Sequence, residues 1–247
     1  MDVRDRVAIV TGASSGIGLA IARLLSTKGA RVALVARSQE KLRALAAELP
    51  GSLAITCDVT RKDEIRAMVR QVEAHFGRID ILVNNAGQGY DASIEDTDIG
   101  HLQRLFDLYL AGLIVAMTEV IPVMRRMGGG AIVNVSSGTA LMHLPGMGAY
   151  SAVKAALAHV SLTAREELKD DRITVTVVYP YVTLTDFERN TIKAGADEDE
   201  QPEGSYDHLP HPPDTPEFVA DRIVSGIDSG EAEVFPHAWM DPHEQRA

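Results

Sequence analysis

The chain has 247 residues, 45% of them hydrophobic, and its formal net charge at pH 7 is −11. A chain of this length can bury a large apolar core within one α/β domain, and its acidic surface argues against nucleic-acid and anionic membrane partners. The single cysteine, Cys57, excludes an internal disulfide and a multi-cysteine metal site, and we expect no metal. The first residues lack a secretory apolar segment, so we expect a cytoplasmic protein.

Short apolar runs alternate with helical patterns from the first residues onward. Strands are predicted at residues 7–11, 31–36, 53–57, 81–84, 131–136, 173–179 and 233–235, and helices at 17–27, 39–49, 61–76, 99–127 and 150–169. The strands are almost continuously apolar, which is typical of a parallel sheet covered on both faces. The alternation therefore predicts a doubly wound parallel sheet in a single three-layer α/β/α domain over residues 1–247. The apolar run 105–124 is interrupted by charged residues, glycine and proline, and we interpret it as a buried helix rather than a membrane span.

One region departs from this alternation. Residues 197–217 contain eight acidic residues, five prolines and neither lysine nor arginine. This composition is typical of a solvated surface loop. The alternative is a mobile lid over a substrate cleft, around residues 186–217. Both hypotheses stay open, because many lids are themselves surface loops.

A glycine-rich turn follows the first predicted strand and opens the first helix. In this context glycines permit a tight turn, a close approach of the backbone to a pyrophosphate, and close packing of helix on strand. The free N–H groups of the helix then face the phosphates. We predict a Rossmann-like dinucleotide site, with a turn that binds nothing as the alternative. Its expected residues are Gly12, Ser14, Ser15, Gly16, Ile17 and Gly18.

The end of the second strand indicates which dinucleotide binds. In NAD sites an acid some 20 residues on usually binds the ribose 2′-hydroxyl, whereas an arginine accommodates a 2′-phosphate. Here the acid's position holds Ala36, and Arg37 follows with a planar, permanently charged fork. Ser38 adds a hydroxyl donor. We therefore predict NADP(H) as the cofactor; the alternative is that Arg37 is only a surface charge.

Further motifs extend this pattern over nearly the whole chain. Residues 11–18 have the form TGxxxGxG, residues 84–87 are NNAG, residues 150–154 have the form YxxxK, and Ser137 stands thirteen residues before Tyr150. With these motifs the chain resembles the short-chain dehydrogenase/reductase family. The resemblance implies that adenine is bound by Asp58 and Val59, that the adenosine ribose lies beside Asn84, Ala86 and Gly87, and that the nicotinamide end is contacted by Pro180, Thr183 and Thr185.

The resemblance also implies a catalytic set of Ser137, Tyr150 and Lys154. Tyr150 and Lys154 are four residues apart on a predicted helix and share a face. A nearby ammonium favours the phenolate, so Tyr150 would be the general base in alcohol oxidation and the general acid in ketone reduction. By the resemblance, Lys154 also binds the nicotinamide ribose and Ser137 orients the substrate oxygen. Without the other motifs, Tyr150 and Lys154 would equally suit an ordinary amphipathic helix.

Two positions depart from the family pattern. Tyr109 stands where the family carries an asparagine that helps hold a water between the lysine and bulk solvent. Its presence puts that proton relay in doubt, and we expect activity to survive at a modest rate. Tyr181 replaces the glycine of the PGxVxT-like segment. A tyrosine there would change the backbone path or project into the substrate pocket.

The sequence predicts an NADP(H)-dependent oxidoreductase acting on an apolar ketone or secondary alcohol. The segment 138–148, expected to wall the substrate site, is rich in leucine and methionine. The family resemblance implies a homodimer or homotetramer. One alternative is a catalytically impaired nucleotide-binding sensor of the same fold. Another is a family enzyme that catalyses dehydration or epimerisation.

Overall fold

The computed structural model describes residues 1–194, 209–242 and 244. Its strands are β1 (Val7–Thr11), β2 (Arg31–Ala36), β3 (Leu53–Thr56), β4 (Ile81–Asn84), β5 (Tyr90–Asp91), β6 (Gly130–Val135), β7 (Ile173–Val178), β8 (Ile192–Lys193) and β9 (Glu233–Val234). All except β5 and β8 form one parallel sheet in the order β3-β2-β1-β4-β6-β7-β9. The remaining two strands pair with each other in parallel.

Helices cover both faces of the large sheet. They are α1 (Gly16–Thr27), α2 (Gln39–Glu48), α3 (Lys62–Phe76), α4 (Ile99–Phe106), α5 (Gly112–Arg126), α6 (Gly148–Leu168) and α7 (Pro216–Ser229). Alternate strand residues point to opposite faces, and β1 therefore contributes to two cores. Val7 and Ile9 pack with α3, α5 and α6, whereas Ala8 and Val10 pack with α1, α2 and α7. The predicted doubly wound three-layer architecture is confirmed.

The strand order creates the place where a ligand can bind. From β1 the chain builds outward through β2 and β3, and from β4 it builds in the opposite direction. At such a switch point the crossover helices diverge and leave a crevice outside the carboxyl ends of the strands. Here Thr11 ends β1 and Asn84 ends β4. The glycine-rich turn follows Thr11 directly and therefore lies at this crevice.

The predicted strands agree with the structure to within one residue at each end, but two helix predictions were wrong or incomplete. The stretch predicted as one helix over 99–127 is divided into α4, a π-helical segment (Asp107–Ala111) and α5. Helix α7 was not predicted, because residues 197–217 were interpreted by composition alone. Pro216 and Glu217 instead begin α7, whose cap is Thr215, with its side chain accepting from the Phe218 N–H.

The long apolar stretch Ile99–Arg126 has the length and composition of a helix that could cross a membrane. In the fold one side of it packs on the core. Leu113, Val120 and Met124 are buried against the sheet and α3, whereas Ile99, Phe106 and Ile114 are exposed.

The proposed lid around residues 186–217 lies partly within the described part of the chain. Residues 195–208 lie outside the described part of the chain. On the N-terminal side of this gap, Ile192 and Lys193 pair with Tyr90 and Asp91. The chain that follows β7 is thereby tied to the loop that follows β4.

Candidate active site

The glycine-rich turn has a shape that only glycine permits. Gly12 has a φ of 70°, in the left-handed region, and a β-carbon there would lie 2.8 Å from Nδ2 of Asn85. A β-carbon at Gly18 would overlap the carbonyl oxygen of Gly12. The first N–H groups of α1 have no partner within the helix and point out of its N-terminus. The turn therefore offers an uncrowded, positively polarised cradle of the kind that holds a pyrophosphate.

Thr11 ties this turn to the NNAG segment. Its Oγ1 accepts hydrogen bonds from the N–H groups of Asn85, at 2.9 Å, and Ala86, at 3.1 Å. The side chain of Asn85 in turn donates to the Thr11 carbonyl at 3.0 Å. Neither Thr11 nor Asn85 was among the predicted site residues, although both belong to the motifs that identified the crevice. These hydrogen bonds hold the end of β1 and the NNAG segment at a fixed distance on two sides of the crevice.

The predicted adenosine end brings Arg37 and Asp58 together. Arg37 follows β2 and is exposed, and Ser38 is the N-terminal cap residue of α2. Asp58 follows β3, with Oδ1 accepting from the N–H and hydroxyl of Thr60. Partial burial would raise the pKa of Asp58, but the Thr60 bonds and the charges of Arg37 and Arg61 outweigh it and lower the pKa. Asp58 is therefore an anion beside Arg37, and Val59 lies next to it, half-buried.

The three predicted catalytic residues meet where β6 ends and α6 passes. Ser137 follows β6, and its Oγ accepts from the Thr139 N–H at 3.2 Å and from the Thr139 hydroxyl at 3.0 Å. Because both bonds use the Ser137 oxygen as acceptor, its own proton points elsewhere, and its hydroxyl is also in contact with that of Tyr150. Tyr150 and Lys154 are both buried on α6. The Lys154 ammonium donates to the carbonyl of Val135 on β6 at 2.8 Å.

Burial sets the protonation of this pair. It raises the pKa of Tyr150 to about 12, although contacts with the Ser137 and Tyr109 hydroxyls act in the opposite direction. Burial also lowers the pKa of Lys154 to about 7. At neutral pH the ligand-free protein thus holds a neutral phenol beside a lysine that is close to its titration midpoint. A phenol in this form can give a proton to a substrate oxygen.

Known proteins resemble this chain over most of its length. Residues 6–195 match the family model described as short chain dehydrogenase. An uncharacterized oxidoreductase of Staphylococcus epidermidis is 34% identical over 191 residues, covering 76% of this chain and 83% of that protein. The chain belongs to the short-chain dehydrogenase/reductase family. It is therefore placed among oxidoreductases that act on small molecules.

Two solved structures superpose closely on this short-chain dehydrogenase/reductase. L-Sorbose reductase from Gluconobacter frateurii, complexed with NADPH and L-sorbose, is 31% identical with a TM-score of 0.84, over 95% of this chain and 97% of that one. A 7α-hydroxysteroid dehydrogenase, complexed with NADH and a 7-oxo bile acid conjugate, is 26% identical with a TM-score of 0.86, over 95% and 94% of the two chains. Both bind nicotinamide cofactors, one phosphorylated and one not, so the likeness does not choose between them.

Compared with the family pattern, Tyr109 is the clearest departure in this short-chain dehydrogenase/reductase. It lies in the π-helical segment between α4 and α5 and is buried. The Lys154 nitrogen is 3.8 Å from the centre of its ring, and its ring meets that of Tyr150 edge to face at 5.9 Å. Burial raises its pKa well above the usual value. Tyr109 therefore occupies one side of the Lys154 ammonium as a neutral phenol.

The segment after β7 approaches the glycine-rich turn. Pro180 is buried and its carbonyl accepts from the Gly138 N–H at 2.8 Å. Thr183 forms a parallel bridge with Asp214 in which the hydrogen bonds are made by its neighbours Val182 and Leu184. The N–H and carbonyl of Thr183 are left on the opposite edge, where the family resemblance expects the nicotinamide carboxamide. The methyl group of Thr185 lies beside Gly16.

Tyr181, the second departure, packs against the C-terminal part of the chain. Its ring meets that of Trp239 edge to face at 5.1 Å, and its hydroxyl donates to the His211 carbonyl at 3.3 Å. Close by, Met240 touches the position where Gly138 would carry a β-carbon. The residues around 237–240 thus pack against the segments that follow β6 and β7.

Two exposed apolar side chains lie near the beginning of α6. The ring of Phe187 lies 6.2 Å from that of Tyr150, and Ile94 approaches Gly148 at the start of α6. We define the apolar rim as the exposed residues Ile94, Leu141, Met142, Leu144, Leu184 and Phe187. Exposed apolar surface beside a polar site is typical of a ligand cleft, and Phe187 supplies such surface beside Tyr150.

Proposed function

We propose that this protein is an NADP(H)-dependent oxidoreductase. It transfers a hydride between the nicotinamide and a carbonyl or secondary alcohol of an apolar small molecule, with Tyr150 as general acid and base. The observation that carries the proposal is the buried Tyr150 phenol beside Lys154 and Ser137, at the carboxyl end of the sheet. A phenol held there can exchange a proton with a substrate oxygen.

The crevice fits a nicotinamide dinucleotide, because Gly12 and Gly18 let the turn pack closely on Asn85 and on the beginning of α1, whose free N–H groups suit a pyrophosphate. When bound, the cofactor supplies or accepts the hydride. The residues of the turn would hold the pyrophosphate through backbone N–H groups, with Ser14, Ser15 and Ile17 beside it. Asn84, Ala86 and Gly87 would flank the adenosine ribose. Pro180, Thr183 and Thr185 would lie along the nicotinamide end.

The preference for NADP(H) is supported by the positive charge of Arg37 near Asp58. Arg37 is exposed and close enough to Asp58 to lower its pKa, so its guanidinium lies at the predicted adenosine end. Ala36 leaves no carboxylate at the position that would repel a 2′-phosphate. A guanidinium binds phosphate through paired, charge-assisted hydrogen bonds, and Ser38 adds a hydroxyl.

The chemistry proposed for the chain's own residues follows from their hydrogen bonds. In carbonyl reduction, Tyr150 gives its proton to the substrate oxygen, and Ser137 donates to the same oxygen because its lone pairs are used by Thr139. In alcohol oxidation, Tyr150 must first lose its proton. The charged form of Lys154 lowers the free energy of the resulting phenolate.

The apolar rim supports a substrate that is apolar apart from its reacting oxygen. Phe187 faces Tyr150 and can pack against such a molecule. The segment around 186–217, which carries Phe187 and begins two residues after Leu184, is our candidate for the lid. We also propose a cytoplasmic homodimer or homotetramer with no nucleic-acid or membrane partner. Exposed apolar residues along α4 and α5, among them Phe106 and Ile114, would lie in its interface.

The test is a turnover screen of apolar ketones with NADPH and with NADH, alongside fluorescence titration of both cofactors. We expect NADPH to bind more tightly, one NADP⁺ to form per ketone reduced, and Tyr150→Phe to lose turnover while retaining NADPH binding. Cofactor binding without turnover on any substrate would favour the nucleotide-binding sensor instead. Product formation without net oxidation of NADPH would favour dehydration or epimerisation.

A further inference from the structure

The side chain of Tyr109 makes contacts from both its ring and its hydroxyl. The ring lies 3.8 Å from the Lys154 nitrogen. The hydroxyl donates to the Gln88 carbonyl at 2.9 Å and accepts from the Gln88 N–H at 2.7 Å. Tyr109 therefore bridges the ammonium on α6 and the loop that follows the NNAG segment.

The contact with Lys154 is placed to hold a cation. A lysine ammonium has three N–H donors, and the Val135 carbonyl takes one of them. The face of a phenol ring attracts a cation through its quadrupole, and the attraction is strongest where water is excluded. Both Tyr109 and Lys154 are almost fully buried. The ring therefore stabilises the charged form of Lys154 at a place where burial alone disfavours it.

The contact with Gln88 fixes the loop that follows β4. Gly87 permits it, because a β-carbon at that position would lie 2.6 Å from the Tyr109 hydroxyl. The π-helical segment permits it from the other side, since the wider turn of a π-helix changes which residues face the core. Gly87 and the π-helical segment thus both make room for the Tyr109 side chain, and Gly87 is itself predicted to lie beside the cofactor.

We propose that Tyr109 is a positioning residue with two separable roles: its ring holds the Lys154 ammonium, and its hydroxyl locks the loop at Gln88. The proposal rests on the proposed function for its kinetic consequences only. The ring takes the place of water beside the ammonium, so Lys154 is held by protein contacts. The groups that face the ammonium in the described structure are the Tyr109 ring, the Tyr150 ring at 5.8 Å and the Val135 carbonyl.

Three variants separate the roles. Tyr109→Phe keeps the ring and removes the hydroxyl, Tyr109→Leu removes both, and Tyr109→Asn introduces the residue typical of the family. Tyr90 supplies matched controls in Tyr90→Phe and Tyr90→Leu. It is a buried tyrosine of the same core whose hydroxyl accepts from the Asp98 N–H at 2.9 Å. Its variants account for the general cost of altering a buried phenol.

The first measurement does not require activity. The chain has six lysines, and all except Lys154 are exposed. In ¹⁵N-lysine-labelled protein, Lys154→Arg assigns the Lys154 signals, which the Tyr109 ring should shift upfield. We expect this ring-current shift to persist in Tyr109→Phe and in both Tyr90 variants, and to disappear in Tyr109→Leu and Tyr109→Asn. Persistence of the shift in Tyr109→Leu would overturn the proposed role of the ring.

The second measurement is kinetic. Tyr109→Phe should raise the KM for NADPH about threefold and lower kcat by less than about twofold, because it releases the loop and removes the contact of the Tyr109 hydroxyl with Tyr150 but keeps the ring beside Lys154. Tyr109→Leu and Tyr109→Asn should lower kcat roughly tenfold, which corresponds to the loss of a desolvated cation–π contact. In these two variants the pH above which kcat falls should drop by about one unit, since the charged lysine has lost its partner. Higher turnover in Tyr109→Asn would contradict the proposal, because it would mean that the tyrosine obstructs a water relay.

The two measurements distinguish failure of this proposal from failure of the proposed function. If wild-type protein turns over no substrate but the Lys154 shift behaves as expected, the ring contact stands and the oxidoreductase activity fails. If turnover occurs and the Phe and Leu variants are kinetically alike, the two roles are not separable and the proposal fails.

Discussion

The side-chain amide of Asn84 donates a 2.9 Å hydrogen bond to Oδ1 of Asn134, its register partner on the neighbouring strand. The side-chain amide of Asn134 donates to the Ser161 hydroxyl oxygen at 2.8 Å, and the Ser161 hydroxyl donates to the Leu157 carbonyl at 2.7 Å. Asn134 and Ser161 are fully buried. The end of β4, where the cofactor is predicted to bind, is therefore tied through β6 to the helix that carries Tyr150 and Lys154.

We expect Asn134→Ala to reduce the free energy of unfolding by about 2–3 kcal/mol. The substitution removes the hydrogen bonds of Asn134 to half-buried Asn84 and to fully buried Ser161, and a hydrogen bond lost at a buried polar group costs about 1–3 kcal/mol. Urea denaturation measures the loss. Asn190→Ala, at an exposed position, should cost under about 0.5 kcal/mol. Equal losses in the two variants would show that the buried bonds do not carry the stability we assign to them.

Cofactor preference should respond to the end of β2. In the double variant Ala36→Asp with Arg37→Ala, a carboxylate replaces the guanidinium near the predicted 2′-phosphate. We expect NADPH affinity to fall roughly 10- to 100-fold, the size of one charge-assisted bond lost, while NADH affinity holds or rises. Calorimetric titration of both cofactors measures this. Arg43→Ala on the exposed surface of α2 is the control, and an equal effect there would assign the change to net charge alone.

How far the sequence predicts this site depends on whether its determinants are local. The turn at Gly12 to Gly18 is visible because strand, turn and helix are contiguous, and the main strands are visible because buried parallel strands are apolar throughout. The contact between Tyr109 and Lys154 joins two helices through tertiary packing, and no periodicity encodes it. The division of the stretch 99–127 by a π-helical segment escapes prediction for the same reason.

Helix α7 escaped for a different reason, since local signals for it were present. Thr215, Pro216 and Glu217 are a capping threonine, a proline at the first helical position and an acid in the first turn. Because these three residues lie in the acidic, proline-rich stretch 197–217, they were interpreted as part of a loop. The bonds of Asn134, in contrast, could only be found from the fold, because an asparagine within an apolar strand gives no sign of its partner.

Thr139 should affect catalysis through Ser137. Its hydroxyl and N–H both donate to the Ser137 oxygen, which directs the Ser137 proton toward the substrate side. Thr139→Val removes the hydroxyl donor and nearly preserves the volume. We expect kcat to fall about three- to tenfold, the equivalent of one neutral hydrogen bond, at unchanged NADPH affinity. Thr139→Ser should restore the rate, and Thr163→Val, on the exposed side of α6, should leave it unchanged. A rate loss that Thr139→Ser does not restore would assign the effect to packing.

Lys154 should lower the stability of the ligand-free protein in a pH-dependent way. Burial lowers its pKa from 10.5 to about 7, so between these values the unfolded chain binds more protons than the folded one. By linkage, its contribution makes the free energy of unfolding rise as pH increases from about 7 toward 10.5, and the cost of burying its charge is fully present below pH 7. We expect Lys154→Met to abolish turnover and, at pH 6.5, to stabilise the protein by about 1–4 kcal/mol.

Urea denaturation of wild type and Lys154→Met at pH 6.5, 7.5 and 8.5 measures the difference, which should shrink as the pH rises because wild-type Lys154 becomes neutral. The control is Lys169→Met, whose side chain is 67% exposed and should give a small difference that does not change over this range. A difference between wild type and Lys154→Met that stayed constant over this range would mean that Lys154 remains charged in the folded state, with the Tyr109 ring and the Val135 carbonyl offsetting its burial.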